Sequence, residues 1–136
     1  MSRYASAELR RKVARRANFR CEYCRLPEFA AMTRFQLEHI VSLKHGGKTT
    51  LENLAYACPI CNSGKGTDLG TIVGSDDTFV RFFNPRKNDW FEHFEIKKGQ
   101  ILPKSEIGEA TIKILGFNKP ERILERLELL DTGVYP

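Results

Sequence analysis

The sequence has no long hydrophobic run and contains few cysteine, histidine or tryptophan residues: four, three and one, respectively, among 136. No stretch approaches the roughly 18 apolar residues that a membrane-spanning helix needs, so an integral membrane protein is excluded. The first twenty residues lack an apolar core of about 7–15 residues, so we expect no secretory signal and a cytoplasmic protein. Hydrophobic residues make up 41% and charged residues 29% of the chain, which excludes wholesale disorder and predicts a globular fold.

Positive charge is concentrated near the amino terminus. Basic residues exceed acidic residues by five over the whole chain, yet residues 1–20 alone hold seven basic residues, Arg3 among them, against the single acid Glu8. Such a block favours a polyanionic partner, because each neutralised phosphate releases condensed counterions. A solvated helix face explains the charge equally well, since apolar residues recur at helical spacing from Ser6 to Asn18 and Ser6 is placed as the cap.

All four cysteines lie in two Cys-x-x-Cys pairs, Cys21/Cys24 and Cys58/Cys61. Each pair with its two intervening residues forms a tight turn, which we call a knuckle. Two such knuckles complete a tetrahedral site, and four thiolates select Zn²⁺ over hard, oxygen-preferring cations. No coordination position remains for water or substrate, so the predicted zinc site is structural. Two alternatives stay open: a disulfide framework, which needs an oxidising compartment, and a redox dithiol, for which one pair would suffice.

The segment between the knuckles predicts a strand, a loop and a return strand. Residues 35–41 have strand character and residues 53–58 can pair with them after a turn at Gly46-Gly47, while a helix is predicted to begin near Cys61. In an ideal strand Glu38 and His39 point to opposite faces, so a twisted or bulged strand end is needed to bring both toward one cleft.

The rest of the chain predicts an aromatic-rich segment, a hairpin around Lys98-Gly99 and helices over about 106–115 and 119–130. The last helix carries an apolar stripe that is expected to face the core, formed by Ile123, Leu124, Leu127 and Leu130. We therefore expect an α+β protein in two parts: residues 1–70 with the basic helix, the knuckles and the paired strands, and residues 71–136 packed on them as an extension.

Polar residues cluster between and beside the knuckles. One hard cation could be held through Glu38 and Asn62 while His39 handles a proton. Together the segments resemble the HNH endonuclease motif from about Arg20 to Gly66, and these segments are Cys21-Glu-Tyr-Cys24, Leu37-Glu-His-Ile40, Gly46-Gly47, Asn53-Leu54 and Cys58-Pro-Ile-Cys61-Asn-Ser-Gly-Lys65-Gly66.

The resemblance implies a ββα-metal (His-Me finger) core that hydrolyses DNA phosphodiester bonds with one metal ion. His39 aligns with the general base, Glu38 with the preceding metal ligand and Asn53 with the residue that fixes loop geometry around the base. Asn62 occupies the final histidine position, which makes the chain an H-N-N variant. An amide is a poorer ligand than imidazole for Zn²⁺, so Mg²⁺ or Mn²⁺ is the expected catalytic ion.

Further phosphate contacts are expected at His45, Lys65, Arg15 and Arg16, although solvated surface side chains explain these residues equally well. Nothing in the sequence resembles a recognition helix, so contacts to DNA are expected mainly along its backbone, with little sequence preference. The alternative interpretation is a noncatalytic, zinc-stabilised nucleic-acid-binding module, in which His39 and Glu38 have only packing roles.

Overall fold

The structure, a computed structural model, describes residues 5–136, so Arg3 of the basic block lies outside the described residues. The chain forms two compact units, Met1–Leu69 and Gly70–Pro136. Each unit mixes helices with small antiparallel sheets, and the described strands form three two-stranded sheets. The expected packing of residues 71–136 on the core stays a prediction.

The first unit contains α1 (Ala7–Arg16), β1 (Gln36–His39), β2 (Leu54–Ala57) and α2 (Pro59–Lys65). Strands β1 and β2 pair antiparallel, and His39 lies opposite Leu54. Short 3₁₀ turns at Glu28–Ala30, Leu43–His45 and Leu51–Asn53 shape the connecting loops. Strand β2 is buried along its whole length, because the knuckles and α1 pack against the sheet.

Helix α1 has the cap and the buried face that its sequence predicts. The Ser6 side chain accepts a hydrogen bond of 3.1 Å from the Leu9 amide and caps the helix. Val13 and Ala14 are buried, and most of the basic side chains face outward. The predicted helix with its Ser6 cap is confirmed.

The second unit contains β3 (Gly70–Ile72), β4 (Phe79–Arg81), α3 (Trp90–His93), β5 (Phe94–Lys97), β6 (Gln100–Pro103), α4 (Glu106–Leu115) and α5 (Pro120–Asp131). Its core contains packed aromatic rings. The ring centroids of Trp90 and Phe94 lie 4.8 Å apart, and those of Phe94 and Phe117 lie 5.6 Å apart. The predicted hairpin and the two final helices are confirmed. The β3–β4 pair and the single turn α3 were not anticipated, because aromatic runs hide strand alternation.

Helix α5 departs from its pattern. Leu124 of the expected core stripe is 62% exposed, whereas Arg122 and Arg126 are buried. The Arg126 guanidinium donates to the Gly99 and Phe117 carbonyls, both at 2.7 Å, and Arg122 donates to Leu115 and Gly116. Two long side chains that satisfy buried carbonyls therefore replace leucines at the interior face. Among the described residues, no helix is long and apolar enough to cross a bilayer.

Candidate functional site

The four cysteines form one buried cluster. The Sγ atoms of Cys21, Cys24, Cys58 and Cys61 all lie within 4.8 Å of one another, and those of Cys24 and Cys58 are 3.8 Å apart. Thiolates arranged tetrahedrally around Zn²⁺ at about 2.3 Å are separated by about 3.8 Å, so the cluster fits zinc. No disulfide joins any of these four cysteines, which sets aside the disulfide framework.

Local backbone structure places the sulfurs. The Cys58 side chain caps α2 and accepts a hydrogen bond of 3.4 Å from the Cys61 amide, and the Cys24 amide donates in the same way to Cys21 at 3.5 Å. Burial raises the pKa of the Cys21 and Cys61 thiols well above the ordinary value. Four buried thiolates therefore need a divalent cation to offset their charge, which Zn²⁺ supplies.

The first knuckle holds the β1–β2 sheet as well as the predicted ion. The Glu22 amide donates to the Tyr56 carbonyl at 2.8 Å, and the Tyr56 amide donates back to the Glu22 carboxylate at 2.8 Å. Beside it, the buried Tyr23 hydroxyl donates to Oε2 of Glu38 at 3.1 Å. The knuckle is thus connected to the strand that carries the predicted catalytic residues.

His39 lies at the end of β1 and is half-buried. It lines a cavity of about 540 Å³ together with Glu38, Asn62 and Lys44. Its Nε2 atom is 3.0 Å from the Thr49 hydroxyl, which fixes the orientation of the ring. Burial, and to a smaller extent the Lys65 ammonium, lowers the pKa of His39, so the imidazole is neutral at physiological pH.

Glu38 and His39 line the same cavity, but their side chains have different partners. Its side chain is 3% exposed, Oε1 lies 2.5 Å from Nζ of Lys65, and Oε2 accepts from Tyr23. Burial raises the pKa of Glu38, while Lys65 and Tyr23 act in the opposite direction. Although Glu38 belongs to the cavity wall, both of its carboxylate oxygens already have protein partners. Within the part of the chain that the structure describes, Oε1 makes no hydrogen bond besides its ion pair, so a divalent ion would either share this carboxylate with Lys65 or displace the ammonium.

The expectation that Lys65 contacts phosphate is corrected by the structure. The Lys65 side chain is 2% exposed, and its ammonium donates to the His39 carbonyl at 3.2 Å in addition to pairing with Glu38. It therefore ties α2 to β1 from the inside. The lysine exposed on the cavity wall is Lys44, which the sequence did not single out.

Asn53 closes the loop between the strands. Its Oδ1 accepts from the Val41 amide at 2.9 Å, and its Nδ2 donates to the Val41 and Lys48 carbonyls, also at 2.9 Å. Gly47 fits beneath this contact, since a Cβ atom there would lie 1.7 Å from the Val41 carbonyl oxygen. Asn53 thus has the geometry expected of a residue that positions the loop around His39.

Asn62 follows the second knuckle on α2 and is half-buried in the wall of the same cavity. Its amide nitrogen donates to the Gln36 side chain. The amide oxygen is the remaining ligand atom, and it is of the type that Mg²⁺ or Mn²⁺ prefers. The structure therefore brings Asn62 and His39 to one cavity, and their roles as metal ligand and base stay predictions.

Three predicted phosphate contacts remain, at Arg15, Arg16 and His45, and these side chains differ in their contacts with the rest of the protein. Arg15 is exposed on α1, but the Arg16 guanidinium donates to the Leu51 and Leu54 carbonyls at 2.8 and 2.6 Å. These hydrogen bonds anchor α1 to the start of β2, but Arg16 is itself exposed, so its contact with phosphate stays a prediction. His45 is exposed at the end of its 3₁₀ turn, and among the described residues the cavity wall includes its neighbour Lys44 instead.

Sequence reasoning missed Tyr23, Thr49 and Lys44. Tyr23 lies between two metal-binding cysteines, and its position there is the one signal that could have drawn attention to it. Thr49 contacts His39 across a loop of ten residues, for which no periodicity exists. Lys44 resembles any other loop lysine in the sequence.

We expect Cys58→Ser to abolish zinc binding and cooperative folding of the first unit, because metal binding and folding are coupled in such a cluster. The measurement is zinc content by atomic absorption together with thermal unfolding. A soluble Cys58→Ser protein that unfolds cooperatively at the wild-type temperature would contradict the structural role of the ion.

We expect Lys65→Met to lower the free energy of unfolding by about 3–5 kcal/mol, because the Glu38 carboxylate remains buried without its cation. The double variant Glu38→Gln/Lys65→Met should recover most of this loss. Urea unfolding at pH 7 with zinc present measures both, and Lys44→Met serves as the exposed control. Equal stability of Lys65→Met and Lys44→Met would show that the buried pair is unimportant.

We expect Asn53→Asp to lower the free energy of unfolding by about 2 kcal/mol, because a carboxylate oxygen replaces the donor that faces the Val41 and Lys48 carbonyls. Urea unfolding tests this expectation. No change in stability would indicate that the loop between the strands does not depend on the Asn53 amide.

Comparison with known proteins gives one match. Residues 21–68 match the family model described as HNH endonuclease. No curated protein and no solved structure matches the chain at a significant level. The matched segment begins at the first knuckle and includes all four cysteines, His39, Asn53 and Asn62. The resemblance seen in the sequence is confirmed: residues 21–68 carry the signature of the HNH endonuclease family, with a four-cysteine cluster that fits zinc.

Proposed function

We propose that this chain is a metal-dependent endonuclease that hydrolyses DNA phosphodiester bonds on a ββα-metal core formed by β1, β2 and α2. The observation that carries the proposal is the half-buried His39 imidazole, which opens onto the same cavity as Asn62. A neutral base beside an amide oxygen is the pair of groups that metal-assisted hydrolysis needs.

His39 is proposed to remove the proton from the attacking water. Its Nε2 atom lies 3.0 Å from the Thr49 hydroxyl, and in the proposed tautomer Nε2–H donates to this hydroxyl, which leaves Nδ1 to accept the proton. Asn53 acts through the loop that carries Thr49 and is a positioning residue. The lowered pKa keeps the imidazole in its basic form at neutral pH.

Asn62 and Glu38 are the residues proposed to hold Mg²⁺ or Mn²⁺. When bound, such a cation neutralises charge on the nonbridging oxygens and on the departing 3′ oxygen. Asn62 offers its amide oxygen directly, whereas Glu38 would share its carboxylate with the Lys65 ammonium or exchange the ammonium for the cation. The zinc cluster is a separate structural site.

DNA is proposed to bind mainly through its backbone. Arg15 on the exposed face of α1 and Lys44 on the cavity wall carry charges that suit phosphates. Neither is placed on a helix that suits the major groove, so we expect little sequence preference.

The second candidate function is a noncatalytic, zinc-stabilised nucleic-acid-binding module. The Glu38–Lys65 pair favours it, because the carboxylate assigned to a cation is already neutralised by the protein. This alternative keeps the zinc cluster and the arginines of α1 but assigns no chemistry to His39.

Plasmid cleavage distinguishes the two. We expect wild-type protein with Mg²⁺ to convert supercoiled DNA, and His39→Ala to reduce the rate by about 10²–10⁴-fold, as for loss of a general base. Zinc content, thermal unfolding and DNA binding should be unchanged in His39→Ala. His93→Gln is the control, since His93 pairs with Ser105 in the second unit.

If wild type, His39→Ala and His93→Gln all leave the plasmid intact while still binding it, the binding module is favoured. Equal cleavage by His39→Ala and wild type would contradict the role assigned to the imidazole.

A further inference from the structure

A second cavity, of about 620 Å³, lies against α1 and contains an unusual amount of positive charge. Arg10, Arg11 and Arg15 line it from the helix, and Arg34 lines it from the segment before β1. The acid among the lining residues is Glu28. A concave wall with this charge excess concentrates anions.

The arginine charges are not neutralised inside the protein. Among residues 5–136, none of the four forms an ion pair with a carboxylate. The Glu28 carboxylate is instead engaged by neutral donors, accepting from the Phe35 amide at 2.7 Å and from the Tyr56 hydroxyl at 2.6 Å. The cavity therefore retains a net positive charge for a ligand.

Part of the cavity is apolar. Phe19 is 50% exposed and Met32 is fully exposed, and both line it alongside three alanines. A free phosphate gains nothing from such a wall. A nucleotide does, because its base offers a flat apolar face that packs on an aromatic ring or a thioether.

Arg10 lies between this cavity and the surroundings of His39. Arg10 lines the cavity and also lines a further cavity of about 590 Å³ that includes His39 and Thr49. The Arg10 guanidinium donates to the Phe35 carbonyl and lies 5.9 Å from the centre of the Tyr56 ring, so it is held at the junction. A nucleic acid strand at His39 can therefore reach the arginines without leaving the surface of the first unit.

We propose that the arginine-lined cavity holds one unpaired nucleotide of the strand whose neighbouring phosphate lies at His39. The arginines bind its phosphate, and its base packs against Phe19 and Met32. The inference rests on the proposed nuclease function and adds a preference to it: single-stranded or frayed DNA binds better than a closed duplex, in which the base is stacked and paired.

Fluorescence anisotropy tests whether the arginine charges of the cavity contribute to DNA binding. The probe is a fluorescein-labelled 12-nucleotide single-stranded DNA, in buffer without Mg²⁺ so that no cleavage occurs. We expect Arg11→Ala/Arg34→Ala to weaken binding at least tenfold and to lower the slope of log affinity against log salt by about 0.7 for each phosphate that is no longer neutralised. The control is Lys12→Ala, which removes a charge from the same helix at a residue paired with Glu8 at 3.5 Å, and it should bind within twofold of wild type.

A second set of variants and probes tests whether a DNA base packs against Phe19 and Met32. We expect Phe19→Leu and Met32→Ala each to weaken binding of the single strand several-fold, and a probe with one abasic position at the site to remove the difference between these variants and wild type. A duplex of the same sequence should bind more weakly than the single strand.

Equal loss of affinity in Lys12→Ala and in the double arginine variant would overturn the proposal, as would a duplex that binds as tightly as the single strand. The nuclease proposal fails separately: a wild-type protein that binds the oligonucleotide as described but never cleaves plasmid refutes the chemistry at His39 and leaves the nucleotide site standing.

Discussion

The convergence of four thiol groups on one point is the constraint on which the first unit depends. The knuckles are separated by the β1–β2 hairpin, and each is attached to it: Tyr23 donates to Glu38, and Cys58 starts the helix that carries Asn62. An ion that offsets the buried thiolates would therefore fix where the strand and the helix lie, together with the buried core around Phe35 and Leu54. The cysteine cluster thus supports the cavity at His39 without lining it.

The Glu38–Lys65 pair shows how one carboxylate can serve two purposes. In the structure it fastens α2 to β1 and is neutralised at 2.5 Å by an ammonium that also donates to the His39 carbonyl. The same carboxylate is the one that we propose as a ligand of the catalytic cation. In the proposed function, cation binding and helix attachment therefore draw on the same carboxylate.

Residue spacing and periodicity predict the sulfur cluster and several helices and strands, but they do not predict which long side chains make contacts inside the fold. Two Cys-x-x-Cys pairs predict the sulfur cluster because tight turns fix the geometry, and Ser6 predicts the start of α1 because capping is local. Alternation predicts that Glu38 faces away from His39, but it does not show that Lys65 comes from α2 to meet it. The predicted apolar stripe of α5 failed for a related reason: Arg122 and Arg126 donate to backbone carbonyls that become neighbours only after folding.

The central claim is that His39 and a divalent ion held by Asn62 meet at one DNA phosphate. The most direct measurement is anomalous diffraction from crystals grown with Mn²⁺ and a phosphorothioate-protected oligonucleotide. The account predicts a manganese peak at the Asn62 amide oxygen, with a DNA phosphate oxygen completing its coordination and His39 facing that phosphate. Manganese absent from this cavity, with the phosphate bound elsewhere and His39 still turned only toward Thr49, would contradict it.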